Sequence, residues 1–270
     1  MATQLSVTRT EAVTPSIRRV WFESADLSAF AGSAHTDRYV KIVFPRPGVT
    51  YPEPLDVKAL RGTIPAEDMP VVRTYTALFP DVDAGTLAID FVVHGDEGVA
   101  GPWAQAAQPG DRLLVNGPGG AYAPDPGADW HLLVGDESAA PAVTAALEAL
   151  PDGADVSVLL LVDDADHEPA LPVRSGAEVR FLHRDPDVEG QLEAAVREVR
   201  WREGRVQAFV HGEAGEVMHG IRPYLLRERG LERDQVSISG YWRRGRTEEG
   251  FREWKSALAA TEQEQAQTAS

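Results

Sequence analysis

The feature that most constrains the fold is a change of hydrophobic period near residue 127. Before it, the segments "LSVTRTEAVTPSIRRVWFES", "DRYVKIVFP", "RTYTALFP", "LAIDFVVHG" and "DRLLVNGP" alternate apolar and polar residues between Pro, Gly and Asp punctuation. That is the pattern of short antiparallel strands with one face on a core. After it, "HLLVG", "VSVLLLV", "AEVRFLH", "VQAFVHG" and "QVSISG" are strand-like apolar runs. Helical stretches such as "ESAAPAVTAALEAL", "VEGQLEAAVREVRW" and "AGEVMHGIRPYLLRERG" alternate with them. Strands that alternate with helices build a parallel sheet, because each parallel return needs a crossover.

The chain is therefore expected to be an α+β two-domain protein. An N-terminal six-stranded antiparallel β-barrel spans residues 1–126, and an α/β domain with a five-stranded parallel sheet spans 127–262. "GGAYAPDPGADW" is the linker, "LDVKALRGTIPAEDMP" a loop between barrel strands, and 263–270 a polar tail. A last helix is expected to start at Thr247 as N-cap, with Glu249 in its first turn.

Composition then removes function classes. A net charge of -16, from 42 acids and 26 bases, opposes a polyphosphate backbone or an anionic membrane, so no nucleic acid is expected as a partner. Without cysteine there is no disulfide, thiolate metal site or iron–sulfur cluster, and electrons handled here need a bound cofactor. The seven histidines form no HxxxH or HExxH pair, so no metal ligand set is expected. No apolar run approaches a membrane span or a secretion signal, and a cytoplasmic monomer is expected.

A barrel followed by an open α/β sheet suits a flavin on the first and a nicotinamide nucleotide on the second. In "VVRTYTALFP", Arg73 is a cation for a pyrophosphate, Tyr75 a flat surface, and Thr76 a donor or acceptor for a ring edge. Arg73 and Tyr75 share one strand face and Thr76 takes the other. The same residues also read as an ordinary strand with a surface arginine. "GVAGPWAQAA" starts a helix whose first N–H groups face an anion. In "LLVGDESAAPAV", a strand, a Gly turn and Ser138 as N-cap place Gly135, Asp136, Glu137 and Ser138 at a carboxyl strand end, without a GxGxxG pattern.

"RTYT", "DFVVHG", "GVAGPWAQAAQPGD", "NGPGG", "GDESAAPA", "HGEAGEV" and "SGYWRRG" occur in the order seen in the siderophore-interacting protein family, and the resemblance covers nearly the whole chain. That family looks like ferredoxin-reductase relatives that bind FAD and reduce ferric siderophores. The resemblance implies FAD and NADPH or NADH as cofactors, a ferric siderophore as substrate, and a ferredoxin as alternative electron donor. For FAD it implies Arg73, Thr74, Tyr75, Thr76, Asp90, Val92, His94, Gly98, Ala100, Gly101, Trp103 and Ala104. The family often has Ser or Thr where Gly101 stands, and Trp103 also reads as a plain packing residue.

For the nicotinamide nucleotide it implies Gly135, Asp136, Glu137, Ser138, Asp163, Gly212 and Glu213, where an acid such as Asp163 favours a ribose 2′-OH. Arg174, Arg184 or Arg205 is the candidate cation for a 2′-phosphate. Lys41, Arg243 and Arg244 form the expected anion clamp for a siderophore, with Trp242 beside them; Lys41 also reads as a solvated strand residue. No side chain is assigned acid–base chemistry. The alternatives are a general NAD(P)H flavin reductase or ferredoxin-type carrier, and a flavin- or siderophore-binding protein without turnover.

Overall fold

A computed structural model describes residues 2–95, 98–172, 176–245 and 250. Arg174, Arg246, Thr247, Glu249, the expected last helix and the expected tail at 263–270 lie outside the described residues.

The first half forms strands β1 (Thr3–Thr14), β2 (Ile17–Glu23), β3 (Tyr39–Phe44), β4 (Val71–Asp81), β5 (Thr86–Val92) and β6 (Arg112–Gly119). They close a barrel in the order β1-β2-β5-β4-β3-β6, with antiparallel neighbours throughout. Closure removes the unpaired edges that an open sheet of this length would leave. Alternation points Val20, Phe22, Val40, Ile42, Leu87, Ile89, Leu113 and Val115 into one core. Burying each such side chain contributes about 1.5–3 kcal/mol. The expected loop between β3 and β4 holds one helical turn, α1 (Val57–Leu60), capped by the Asp56 carboxylate, and a 3-10 turn at Ala66–Asp68. Helix α2 (Ala100–Ala106) follows β5 and buries Ala100 and Ala104 in the barrel core.

The second half contains β7 (Trp130–Asp136), α3 (Ala140–Ala149), β8 (Val156–Val162), β9 (Ala177–His183), α4 (Gln191–Glu198), β10 (Val206–Glu213) and β11 (Val236–Trp242). The five strands are parallel in the order β11-β10-β7-β8-β9. β7 and β8 are buried at every position, as strands covered on both faces must be. Leu132, Val134, Leu159 and Leu161 pack towards α4, and Leu133, Val158, Leu160 and Phe209 towards α3. The expected helix in "AGEVMHGIRPYLLRERG" is wound as two π-helical segments, Glu216–Ile221 and Tyr224–Glu228, on either side of Pro223, which has no N–H to donate.

The path runs outward from β7 to β9 and then returns to β10 on the other side of β7. Strand order therefore reverses between β7 and β10, which opens a crevice at their carboxyl ends. Several contacts among the described residues hold the barrel against this sheet. α3 packs on β4; the Asp37 carboxylate accepts from the Ala121 and Tyr122 amides at 2.9 Å each; and the Tyr122 ring lies 4.9 Å from Phe209. Among the described residues no helix is long and apolar enough to cross a membrane.

Candidate functional site

On the barrel, β4 pairs with β3 so that Arg73 lies opposite Ile42, Thr74 opposite Lys41, and Tyr75 opposite Val40. Ile42 and Val40 face the core, so Arg73 and Tyr75 share the inner face while Thr74 and Lys41 stand exposed outside. The half-buried Tyr75 ring packs on the core at 4.6 Å from Phe91. Thr76 turns the other way, as alternation requires, and is buried.

Past β5, His94 is exposed, and Gly98 adopts φ 79° with open space where a Cβ would stand. α2 then starts at Ala100 without any side-chain cap, and its first internal bond is donated by the Trp103 amide to Val99. The Ala100 and Gly101 amides thus have no acceptor in the helix itself, and Pro102 has no N–H. Gly101 lies so close to the end of β5 that a Cβ there would meet the Val92 carbonyl oxygen at 3.3 Å. Bare backbone against open space fits the pyrophosphate of a dinucleotide.

Two residues expected beside this cradle are engaged elsewhere. Both carboxylate oxygens of Asp90 accept from Arg19, at 2.6 and 2.8 Å, across the β2–β5 pair. Trp103 is packed by Phe91 at 5.7 Å, Phe44 at 6.1 Å and Phe22 at 6.4 Å, the packing alternative raised for it.

At the carboxyl edge of the sheet the polar side chains bind each other. Asp136, 2% exposed, accepts from the Ser138 amide at 2.9 Å, the Ser138 hydroxyl at 2.5 Å, the Glu213 amide at 2.8 Å and the Trp242 indole at 2.7 Å. Burial pushes its pKa up against the pull of these donors. Ser138 was expected as an N-cap; α3 instead starts at Ala140 after an uncapped Ala139, and Ser138 turns back to Asp136. Gly135 and Gly212 let the strand ends approach. A Cβ on Gly135 would stand 2.8 Å from the His211 carbonyl oxygen, and one on Gly212 2.7 Å from Asp136 Oδ2.

Glu213 accepts from the Glu216 amide at 2.9 Å, the Arg244 amide at 3.0 Å and Arg243 Nη1 at 3.3 Å. Two members of the expected clamp have partners within the protein. Trp242 is turned to Asp136 and Arg243 to Glu213, so both tie β11 to its neighbours, while Lys41 and Arg244 are the exposed members.

Beyond β7, Glu137 is 9% exposed and accepts from Ser16 in the β1–β2 turn at 3.1 Å and from Arg184 at 3.3 Å. Burial first, then the Asp163 charge, raise its pKa. Arg184 also donates to Asp163 at 2.9 Å. Arg205 is corrected as a phosphate cation: it precedes β10 at the opposite edge and meets Asp125 and Asp234. No local pattern marks Ser16 or Arg19 as partners of site residues, because each lies far along the chain from the acid it meets.

The sequence model for the siderophore-interacting FAD-binding domain matches residues 6–122, and that for the siderophore-interacting protein matches 128–245. The chain is 34% identical to a ferric vibriobactin reductase of Vibrio cholerae, over 92% of each chain. It is 30% identical to an NADPH-dependent ferric-chelate reductase of Escherichia coli, over 88% of this chain and 92% of the relative. A crystal structure of a siderophore utilization protein from T. fusca superposes with a TM-score of 0.76 at 36% identity, covering 92% of this chain and 94% of the other.

Proposed function

The chain belongs to the siderophore-interacting protein family, and from that premise we propose how its two halves divide one reaction. It is an FAD-dependent ferric-siderophore reductase that uses NAD(P)H to reduce Fe(III) to Fe(II) and release the iron. When bound, the flavin supplies the conversion of a hydride pair into single electrons, so one NAD(P)H serves two ferric ions. Siderophores hold Fe(III) through hard oxygen donors, and lowering the ion's charge weakens those bonds.

The residues divide the work. Arg73 pairs with the FAD pyrophosphate, the Ala100 and Gly101 amides and Gly98 cradle it, and Tyr75 and Thr76 border the ring. The crevice between β7 and β10, edged by Gly135 and Gly212, takes the nicotinamide nucleotide, and the Asp136 network keeps its wall in place. Lys41 and Arg244 attract an anionic siderophore in a field that is otherwise strongly negative, and Trp242 and Arg243 support that end of β11. NAD(P)H is made and recycled inside cells, which favours the cytoplasm as the place of reaction.

The observation that carries this reading is the bare backbone at the start of α2, with the exposed Gly98 ahead of it and Gly101 in its first turn, on the same barrel as the Arg73–Tyr75 strand. The test is anaerobic. The protein should purify yellow with FAD; NADH or NADPH should bleach it; and a ferric siderophore should restore the colour while a ferrous chelator reports two Fe(II) per nucleotide. FMN alone, or no bleaching by either nucleotide, would remove the reading. Equal rates with ferric siderophore and free flavin would make the protein a general flavin reductase.

A further inference from the structure

β8 and β9 end side by side, with Val162 opposite His183. The residues just past them form the ion pair Asp163–Arg184 at 2.9 Å, and the same guanidinium reaches Glu137 at 3.3 Å. One cation therefore answers two carboxylates. The described residues that follow these two strands include further acids, Asp164, Asp166, Glu168, Asp185 and Asp187, with His167 bonded to Asp164 at 2.7 Å and His183 to Glu168 at 2.8 Å.

A dinucleotide lying across the carboxyl ends from the β7–β10 crevice sets its adenosine ribose at the end of the strand next to the first one, here β8. NADH and NADPH differ at that ribose by one dianionic phosphate. A free 2′-OH can donate to the Asp163 carboxylate, which is 51% exposed and keeps room for a second donor while it holds Arg184. A 2′-phosphate needs Arg184 for itself. Arg184 already gives Nε to Asp163 and Nη2 to Glu137, so a phosphate that reaches this guanidinium must compete for it and sit against both carboxylates, which repel it.

We infer that this chain selects NADH over NADPH, with Asp163 and Arg184 as the specificity-determining pair. The inference rests on reading the sheet edge as the nicotinamide-nucleotide site. It separates this chain from its NADPH-dependent relative of Escherichia coli.

The experiment uses the FAD-loaded protein in two ways: anaerobic flavin reduction by NADH and by NADPH, and calorimetric titration of the oxidised protein with NAD+ and NADP+. NADH should be preferred at least about tenfold in both, since a like charge placed at the ribose is costly. Asp163→Asn should cut that preference by about tenfold, chiefly by improving NADP+ binding as Arg184 is released. Asp163→Ser, which is smaller but equally neutral, should do the same and guards against a fault peculiar to asparagine. Salt should narrow the preference in the native protein, because the repulsion is exposed and screened. A native preference for NADPH, or a ratio left unchanged by both variants, would overturn the inference while leaving the reductase reading intact. Failure of both nucleotides to reduce the flavin or to bind would overturn the two together.

Discussion

The barrel wall and the sheet edge handle polar side chains in opposite ways. Along β3, β4 and the turn after β5, Lys41, Thr74 and His94 stand exposed, and the glycine cradle offers bare backbone. At the sheet edge, Asp136, Glu213, Glu137 and Arg184 are each bound to two or more neighbouring groups. A ligand on the barrel meets exposed side chains and bare backbone, whereas a ligand on the sheet meets a wall whose polar groups are bound to one another. The difference follows from burial: a carboxylate such as Asp136 in a nearly dry place must have donors from its own chain, and an exposed lysine need not.

Substitutions at the two sites should therefore fail differently. The largest effect is expected at Asp136. Asp136→Ala leaves four donors from three segments without their acceptor, and should lower stability by about 3 kcal/mol. Melting of the FAD-loaded protein would read this, together with a change in Trp242 fluorescence and a raised KM for the nicotinamide nucleotide. Asp136→Asn, which keeps the shape and one acceptor oxygen, should recover part of all three. If the alanine variant melts like the native protein, the wall does not depend on this carboxylate. Next comes Arg73→Ala, which should weaken FAD binding by about 10- to 100-fold, the worth of one charge-assisted bond to phosphate, with little change in the fold. Flavin released on dialysis measures it, and unchanged FAD affinity would assign Arg73 to the surface.

The same contrast explains what the sequence disclosed. Period alone predicted both halves, because β2, β4 and β5 send alternate side chains into a barrel core and β7 and β8 are largely apolar and buried at every position. The proposed barrel cradle rests on local patterns too, the glycines ahead of and within α2 and the Arg73 strand. The sheet edge was legible only as a place. That Asp136 holds Trp242, 106 residues away, or that Ser16 reaches Glu137, 121 residues away, depends on which strands become neighbours, and no local pattern records it. For that reason the local pattern groups Trp242 and Arg243 with Lys41, and only the fold shows that they also bond Asp136 and Glu213.

The revised cation pair gives a third test. Replacing Lys41 and Arg244 together by Ala should raise KM for an anionic ferric triscatecholate by about five- to tenfold and change a neutral trishydroxamate far less. Salt should imitate the variant in the native protein. Reduction of the flavin by nicotinamide should stay as it was, and its loss would mean that these cations serve the cofactor. Equal effects on the two siderophores would exclude a charge-based role.

The smallest expected effect lies where the two regions meet. The Ser16 hydroxyl, in the turn between β1 and β2, donates to Glu137 at 3.1 Å and is one of the few polar links from barrel to sheet edge. Burial and the Asp163 charge raise the Glu137 pKa above its ordinary value, and the Ser16 bond works against them by favouring the ionised form. Ser16→Ala should therefore raise that pKa further. Over the pH range between the native and variant pKa values, the folded variant then holds more proton than the folded native protein, while the unfolded chains are alike. Stability must accordingly fall more steeply with rising pH in the variant. The deficit should be slight near about pH 4, where Glu137 is largely protonated in both, and approach about 0.5–1 kcal/mol at about pH 8, where a bond to a carboxylate is lost. Chemical denaturation of the two proteins at both pH values reads the difference directly. A deficit that is constant with pH would show that Ser16 acts on the turn and not on Glu137, and one that shrinks as pH rises would show that the hydroxyl favours the protonated acid.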